Sequence, residues 1–64
     1  MKVKKLLKQM KGNEDVRIYD YIGRFENDKA RNLRKYGVCT VRGVWAGTFM
    51  DKPCICIQIE EILR

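Results

Sequence analysis

Strict alternation of side chains near the end of the chain is the feature that most limits how it can fold. The segment CICIQI, residues 54–59, has isoleucine at every second position, with cysteine or glutamine between. Successive side chains of a strand point to opposite faces, so this pattern predicts a strand with one aliphatic face. A second alternating segment, VCTVRGVWA at residues 38–46, lies one short loop earlier. We therefore predict that the two segments form a C-terminal β-hairpin.

The register of this hairpin follows from collecting apolar residues on one face. We predict that Trp45 lies opposite Ile55, because a slip by one residue would turn Arg42 toward the isoleucines. The predicted core face holds Val41, Trp45, Ile55, Ile57 and Ile59, and the other face holds Thr40, Arg42, Val44, Cys54, Cys56, Gln58 and Glu60. Gly43 either makes room for Trp45 or for a packed helix, or marks a bulge.

The same register indicates what the cysteines do. Cys54 and Cys56 are two residues apart and share a face, whereas Cys39 points to the opposite face. Three cysteines in this arrangement do not converge on one ion, and the chain has no histidine and no Cys-x-x-Cys pair. Neighbouring cysteines on one face of a strand also have poor disulfide geometry. We expect the cysteines to act as small apolar residues, with no metal and no cofactor.

Two further elements are predicted before the hairpin. An amphipathic helix is expected at the start, where apolar residues recur at helical spacing among lysines until Gly12. VRIYDYI, residues 16–22, alternates and is rich in β-branched and aromatic residues, which favours a strand. Its core face would hold Val16, Ile18, Asp20 and Ile22, and its other face Arg17, Tyr19 and Tyr21.

A short basic helix is predicted between this strand and the hairpin. Asn27 or Asp28 would cap it, and it would run to Tyr36, with Gly37 as its stop. A loop or a strand-like segment is the alternative.

Together these elements predict one α+β domain spanning residues 1–64. In it, an N-terminal amphipathic helix packs on a small, mostly antiparallel, three- to four-stranded sheet. The predicted core is Val3, Leu6, Leu7, Met10, Val16, Ile18, Ile22, Leu33, Val41, Trp45, Ile55, Ile57, Ile59 and Leu63. A chain of 64 residues buries only about 60% of its unfolded surface, so its small size alone favours dimerisation.

The charge of the chain is uneven and suggests an anionic partner. The net charge is +6, and residues 1–11 carry five lysines and no acid. Nucleic acid, a nucleotide or an acidic protein face would suit this balance, although lysines also simply solvate the outside of a helix. The candidate anion- or nucleic-acid-binding residues are Arg17, Arg31, Arg34, Lys35 and Arg42.

Cytoplasmic localisation is the expectation for this chain, away from any membrane. No apolar run approaches the roughly 18 residues of a membrane span, and the lysine-rich start lacks a signal-peptide pattern.

The sheet face that carries Tyr19 and Tyr21 is too apolar to stay in water. The second helix, a second subunit or nucleic-acid bases are the three alternatives for covering it. A protein partner, or self-association, is the leading expectation. The partner-binding candidates are Tyr19, Tyr21, Phe49 and Met50.

Catalysis is not expected from this composition. The chain has no histidine and no serine, and its glycines form no phosphate-binding motif. The pairs Glu14-Asp15 and Glu60-Glu61 are typical of solvated charge at turns and strand ends. We therefore predict that the protein is not an enzyme.

The order of segments resembles a class of short phage and mobile-element proteins from low-GC Gram-positive bacteria. The resemblance rests on MKVKKLLKQM, DVRIYDYIG, KYGVCTVRGVWAG and CICIQIEEI, in that order. GRFENDKARNLRKYG departs from the pattern, being more basic where the class has more strand. The resemblance implies an accessory protein that acts by stoichiometric binding: blocking a host factor, sequestering a nucleotide signal or coating nucleic acid.

Overall fold

The chain folds as one short helix and a four-stranded mixed sheet, in a computed structural model that describes residues 1–63. In chain order the elements are α1 (Val3–Lys8), β1 (Asp15–Tyr19), β2 (Phe25–Lys29), two 3₁₀ turns (Ala30–Asn32 and Arg34–Tyr36), β3 (Val41–Phe49) and β4 (Lys52–Ile59). The fold is therefore α+β.

The two most apolar strands lie in the middle of the sheet. The strand order is β2-β1-β4-β3, with β1 antiparallel to β2 and parallel to β4, and β3 antiparallel to β4. Parallel pairs are usually covered on both faces, and their strands are aliphatic for that reason. The polar strand β2 and the long strand β3 form the two edges.

The helix and both 3₁₀ turns pack on one face of this sheet and form an aliphatic core. Its buried members are Val3, Leu7, Val16, Ile18, Ala30, Leu33, Ile57, Ile59 and Leu63. Six residues are too few for a helix to be stable alone, so α1 depends on tertiary contacts. Val3 and Leu7 supply them by burial, and the Val3 N–H donates to the Cys39 carbonyl at 2.9 Å.

A bulge in β3 makes the predicted register wrong for most of the β3–β4 pair. Val41 pairs with Ile59, as predicted, but Gly43 pairs with Gln58, so Arg42 is an extra residue in β3. A bulge of this kind shifts the pairing by one residue and reverses the faces of all side chains beyond it.

The clearest consequence of the bulge is the position of Trp45. Trp45 lies opposite Cys56 rather than Ile55, on the face away from the core, and is 45% exposed. Val44, predicted on that face, is instead paired with Ile57 on the helix side. Assigning Trp45 to the core was therefore wrong.

The predicted helix over residues 27–36 is also wrong. Its first residues belong to β2, where Asn27 pairs with Arg17 of β1. The N–H of Ala30 donates to the Glu14 carbonyl at 2.9 Å, and the next residue donates to Gly12. Because these two N–H groups donate hydrogen bonds to the segment before β1, no continuous helix forms here. The segment has two single 3₁₀ turns instead, and Leu33 lies buried between them.

Strand β1 ends earlier than predicted, at Tyr19, which corrects the positions of Tyr21 and Ile22. Both lie in the turn between β1 and β2, and Ile22 is 52% exposed rather than in the core. The turn is organised by Asp20, which is fully buried. Asp20 Oδ1 accepts hydrogen bonds from the N–H groups of Ile22 and Arg24 at 3.0 and 2.8 Å.

The Asp20 carboxylate also ties the C-terminal segment to this turn. Its Oδ2 accepts a hydrogen bond from the Leu63 N–H at 3.2 Å. Burial by itself would raise the pKa of Asp20, but the donors from Leu63, Arg24 and Ile22 together lower it below its ordinary value. Asp20 is therefore a charged group that holds two loops together.

Asp20 makes folding stability depend on acidic pH. Because its pKa is lowered in the folded state, its contribution is complete above the ordinary carboxyl pKa of about 4 and is lost as the pH falls below it. Asp20→Asn should therefore unfold more easily at pH 7 than the wild type and lose less stability between pH 5 and pH 2. Urea unfolding of both proteins across this range measures the difference. Asp28 and Glu61 also have lowered pKa values, but they are present in both proteins and so cancel in the comparison. Parallel pH curves for the two proteins would contradict the assignment.

The connection between β3 and β4 is a two-residue turn in a left-handed conformation. Met50 and Asp51 have φ values of 51° and 63°, and Phe49 pairs with Lys52 across them. This turn matches the twist of antiparallel strands, but it favours glycine or asparagine over larger residues.

Asp51→Gly should stabilise the fold by about 1 kcal/mol, since glycine adopts positive φ without steric penalty. Gly23→Ala is the converse test, because Gly23 has a φ of 96° and a Cβ built there meets nothing within 4 Å. It should destabilise by a similar amount through backbone conformation alone. Chemical denaturation of both variants measures the changes, and an unchanged midpoint for either would contradict the turn geometry.

Candidate functional site

The sheet face opposite the core carries a row of aromatic side chains. We call it the open face: it comprises Phe25, Asn27 and Lys29 of β2, Asp15, Arg17 and Tyr19 of β1, Lys52, Cys54, Cys56 and Gln58 of β4, and Gly43, Trp45, Gly47 and Phe49 of β3. The helix and 3₁₀ turns pack on the other side, against Val16, Ile18 and Ile57. Phe25 is 55% exposed, and Trp45 and Phe49 are exposed as well.

Tyr19 is the middle of the aromatic row. Its ring centroid is 5.6 Å from that of Phe25, its direct partner across the β1–β2 pair. It is also 5.6 Å from the Trp45 ring, and these two rings are stacked at 25°. Because β4 separates β1 from β3, the stacked Tyr19 and Trp45 rings meet across β4, where Tyr19 pairs with Gln58 and Trp45 with Cys56.

Arg17 connects the aromatic rings to one another. Its Cζ lies 5.1 Å from the Phe25 ring centroid and 5.4 Å from that of Phe49. Its Nε donates to Asn27 Oδ1 at 2.5 Å and its Nη1 to the Tyr19 hydroxyl at 2.9 Å. The hydrogen bond to Tyr19 raises the pKa of Arg17, so the guanidinium stays charged. Cation–π contacts with these two rings and with that of Tyr19, at 5.8 Å, hold this charge in the centre of the open face.

The two cysteines of β4 form the floor beneath this cluster. Cys54 and Cys56 are buried with their sulfur atoms 3.9 Å apart, and Cys39 lies on the opposite, core side. Burial raises the pKa of the Cys56 thiol, and burial also raises that of Cys39. A thiol whose pKa is raised by burial is a poor nucleophile, so Cys56 and Cys39 are suited to packing as small apolar residues.

Gly47 leaves the space that the cysteines need. It lies opposite Cys54 in β3, and a Cβ built on it would lie 2.7 Å from Cys56 Sγ. No side chain fits there unless the thiol moves.

The partner-binding candidates from the sequence fall into three places. Tyr19 and Phe49 belong to the open-face cluster. Tyr21 lies in the β1–β2 turn and Met50 in the β3–β4 turn, both exposed. Phe25 and Trp45 were missed, because Phe25 lay outside every predicted element and Trp45 was assigned to the core. The signal for Trp45 was Gly43, whose bulge alternative is the arrangement that the chain adopts.

The cationic candidates divide among four places. Arg17 lies in the open face and Arg42 at the bulge of β3. Lys35 pairs with Glu26, at 3.3 Å between Nζ and Oε2. Arg31 and Arg34 line a groove on the helix side, together with two lysines of α1 that the sequence did not single out.

Glu26 holds the second 3₁₀ turn against β2 through two contacts. Besides Lys35, it accepts a hydrogen bond from the Tyr36 hydroxyl at 2.6 Å. That hydrogen bond raises the pKa of Tyr36 to about 12. These contacts fix the position of the turn that carries Arg34.

Neither a metal centre nor a membrane span is found in the described part of the chain. Residues 1–63 contain no cluster of three or more histidine, cysteine or acidic side chains that could hold an ion. None of their helices is long and apolar enough to cross a bilayer.

Comparison with family models, with curated proteins and with solved structures finds no match to this chain.

The close approach at Gly47 gives a test of the open-face packing. Gly47→Ala should destabilise the fold by about 1–3 kcal/mol, because the added methyl group overlaps Cys56 Sγ. Gly43→Ala is the matched control in the same strand, since its Cβ would meet only Trp45 Cζ3, at 3.9 Å. Urea unfolding measures both variants.

A second substitution separates this steric effect from a general loss of strand stability. Cys56→Ala removes the sulfur, so Gly47→Ala should be tolerated much better in that background. Equal destabilisation with and without the Cys56 sulfur would refute the proposed contact.

Proposed function

We propose that this chain is a non-enzymatic binding protein that holds a protein partner on its open face. The observation that carries the proposal is the cluster of exposed aromatic rings around Arg17 on a sheet face that no helix covers. Contiguous apolar surface of this kind, with polar groups at its margin, is typical of interaction sites.

The composition of the open face favours a protein as its occupant. Tryptophan, tyrosine and arginine are the residues in which the binding energy of protein interfaces concentrates, and Trp45, Tyr19 and Arg17 lie together here. The rings support one another through stacking, so they are largely ordered before a partner arrives. Such preorganisation reduces the entropy lost on binding.

Nucleic-acid bases fit this face less well, because few cations accompany its rings. Arg17 already donates to Asn27 and Tyr19, and Lys29 is paired with Asp15 at 2.7 Å. Binding of single strands usually needs a positively charged groove beside the stacking rings. The groove that is positively charged lies on the other side of the molecule.

The chemistry of Arg17 indicates what the partner surface should offer. Three of its five N–H groups are donated, to Asn27, Tyr19 and the Thr48 carbonyl. The remaining two suit a carboxylate within an otherwise apolar partner surface. A second copy of the chain is the other occupant to test, although two chains of charge +6 repel each other.

The biological setting belongs to the same proposal. The resemblance to phage and mobile-element proteins favours an accessory protein that captures one partner molecule per chain or per oligomer. Three free cysteines support a reducing compartment such as the cytoplasm. The burial of Cys56, which raises the pKa of its thiol, and the lack of histidine support a role without catalysis.

Trp45→Ala should weaken partner binding by at least about 30-fold, the effect of losing one interface hot spot. Val44→Ala is the matched control: the two neighbours are similarly exposed, at 45% and 48%, but point to opposite faces of β3. Val44→Ala should bind as the wild type does.

Two measurements test these variants. Sedimentation velocity of the chain alone detects self-association. Quantitative affinity capture at high salt recovers a partner other than the chain itself. Titration of the recovered protein then measures its affinity and stoichiometry. Equal behaviour of Trp45→Ala and Val44→Ala in both experiments would overturn the proposal, as would binding that added salt abolishes.

A further inference from the structure

We infer that a groove on the helix side of the molecule binds the phosphodiester backbone of a single-stranded nucleic acid. One wall of the groove is α1, which contributes Lys4 and Lys8, and the other is formed by the two 3₁₀ turns, which contribute Arg31 and Arg34. Its volume is about 470 Å³. This basic groove lies on the opposite side of the sheet from the open face, so its ligand is separate from the protein partner proposed above.

The basic groove has no carboxylate of its own. Among residues 1–63 none lines it, and none of its four cations takes part in an ion pair, although Asp28 is near enough to Arg31 for their charges to attract. The ion pairs of that part of the chain use Lys29 and Lys35 instead. Four cations around one concave surface raise the local concentration of anions.

The two walls are joined to fixed backbone at both ends. The Lys4 N–H donates to the Gly37 carbonyl at 3.1 Å, and the Arg31 N–H donates to the Gly12 carbonyl at 3.0 Å. A Cβ on Gly37 would lie 3.1 Å from Lys4 Cβ, and one on Gly12 would lie 3.3 Å from Arg31 Cβ. The backbone and Cβ atoms of Lys4 and Arg31 are therefore held in place before a ligand binds.

The spacing of the charges favours a strand over a single phosphate. Lys4 and Lys8 are one helical turn apart, about 6 Å along α1, and Arg31 and Arg34 belong to successive 3₁₀ turns that line the same groove. Several cations spread along one groove match an anion that carries more than one charge. Positively charged grooves that follow the backbone are the usual means of holding single strands.

The floor of the groove favours binding without sequence preference. It is formed by Leu7, Met10 and Ala30, and none of the described residues that line it is aromatic. Bases therefore have no ring to stack on, and the phosphates supply the contacts. Affinity of this kind depends steeply on salt and weakly on sequence.

Fluorescence anisotropy with a labelled oligothymidine of about 15 nucleotides tests this inference, at NaCl concentrations from about 50 to 200 mM. Four phosphate contacts predict that log Kd rises with log salt with a slope of roughly 3. The variant Lys8→Glu/Arg34→Glu should lose at least about 30-fold in affinity. Arg42→Glu/Lys52→Glu changes the net charge equally but outside the groove, and should stay within about 3-fold of the wild type. Urea unfolding confirms that both variants are folded.

Four results would each overturn the inference. Equal loss in both double variants would mean that net charge alone attracts the strand. Competition by a mononucleotide as strong as that by the oligonucleotide would indicate a nucleotide site, and equal competition by polyglutamate an acidic polypeptide site. Loss of oligonucleotide binding in Trp45→Ala would move the strand to the open face. Retained binding in Trp45→Ala, with loss in the groove variant, supports the basic groove independently of the protein partner.

Discussion

The single extra residue in β3 is the constraint on which the two faces of this molecule depend. Because Arg42 has no partner of its own, every side chain of β3 beyond it changes face relative to an unbroken ladder. Trp45 and Phe49 thus join Tyr19 on the open face, and Gly47 comes to lie over the cysteines. The buried core is left to aliphatic residues, which α1 and the 3₁₀ turns cover.

The sheet then separates two kinds of surface chemistry. Aromatic rings around one arginine lie on one side, and a groove lined by four cations lies on the other. Such a small chain has little core with which to hold long loops in place, and polar contacts take over part of that task. Asp20 fixes the β1–β2 turn and the C-terminal segment, and Glu26 fixes the turn that carries Arg34. Both acids therefore hold surface segments in position without belonging to the open face or the basic groove.

Sequence patterns predicted the faces inside each strand more accurately than the elements between strands. The alternation of residues 54–59 separated the cysteines from the isoleucines correctly, and the one pair before the bulge, Val41 with Ile59, was also right. The helix expected from Asn27 to Tyr36 failed because the polar segment FENDK has little strand propensity of its own. Its pairing with β1 depends on the turn organised by Asp20, and no local pattern reports that contact.

The sequence by itself determined which residues share a face within an unbroken strand, where positive charge concentrates, and that imidazole chemistry is absent. These properties are local or compositional, so periodicity and counting are enough to find them. Only the tertiary structure decided the strand order, the bulge at Arg42 and the meeting of Lys4 and Lys8 with Arg31 and Arg34. The physical reason is that pairing and packing join residues far apart in the chain, and their free energy depends on all the partners at once. One inserted residue was therefore enough to move Trp45 from the expected core to the surface proposed for binding.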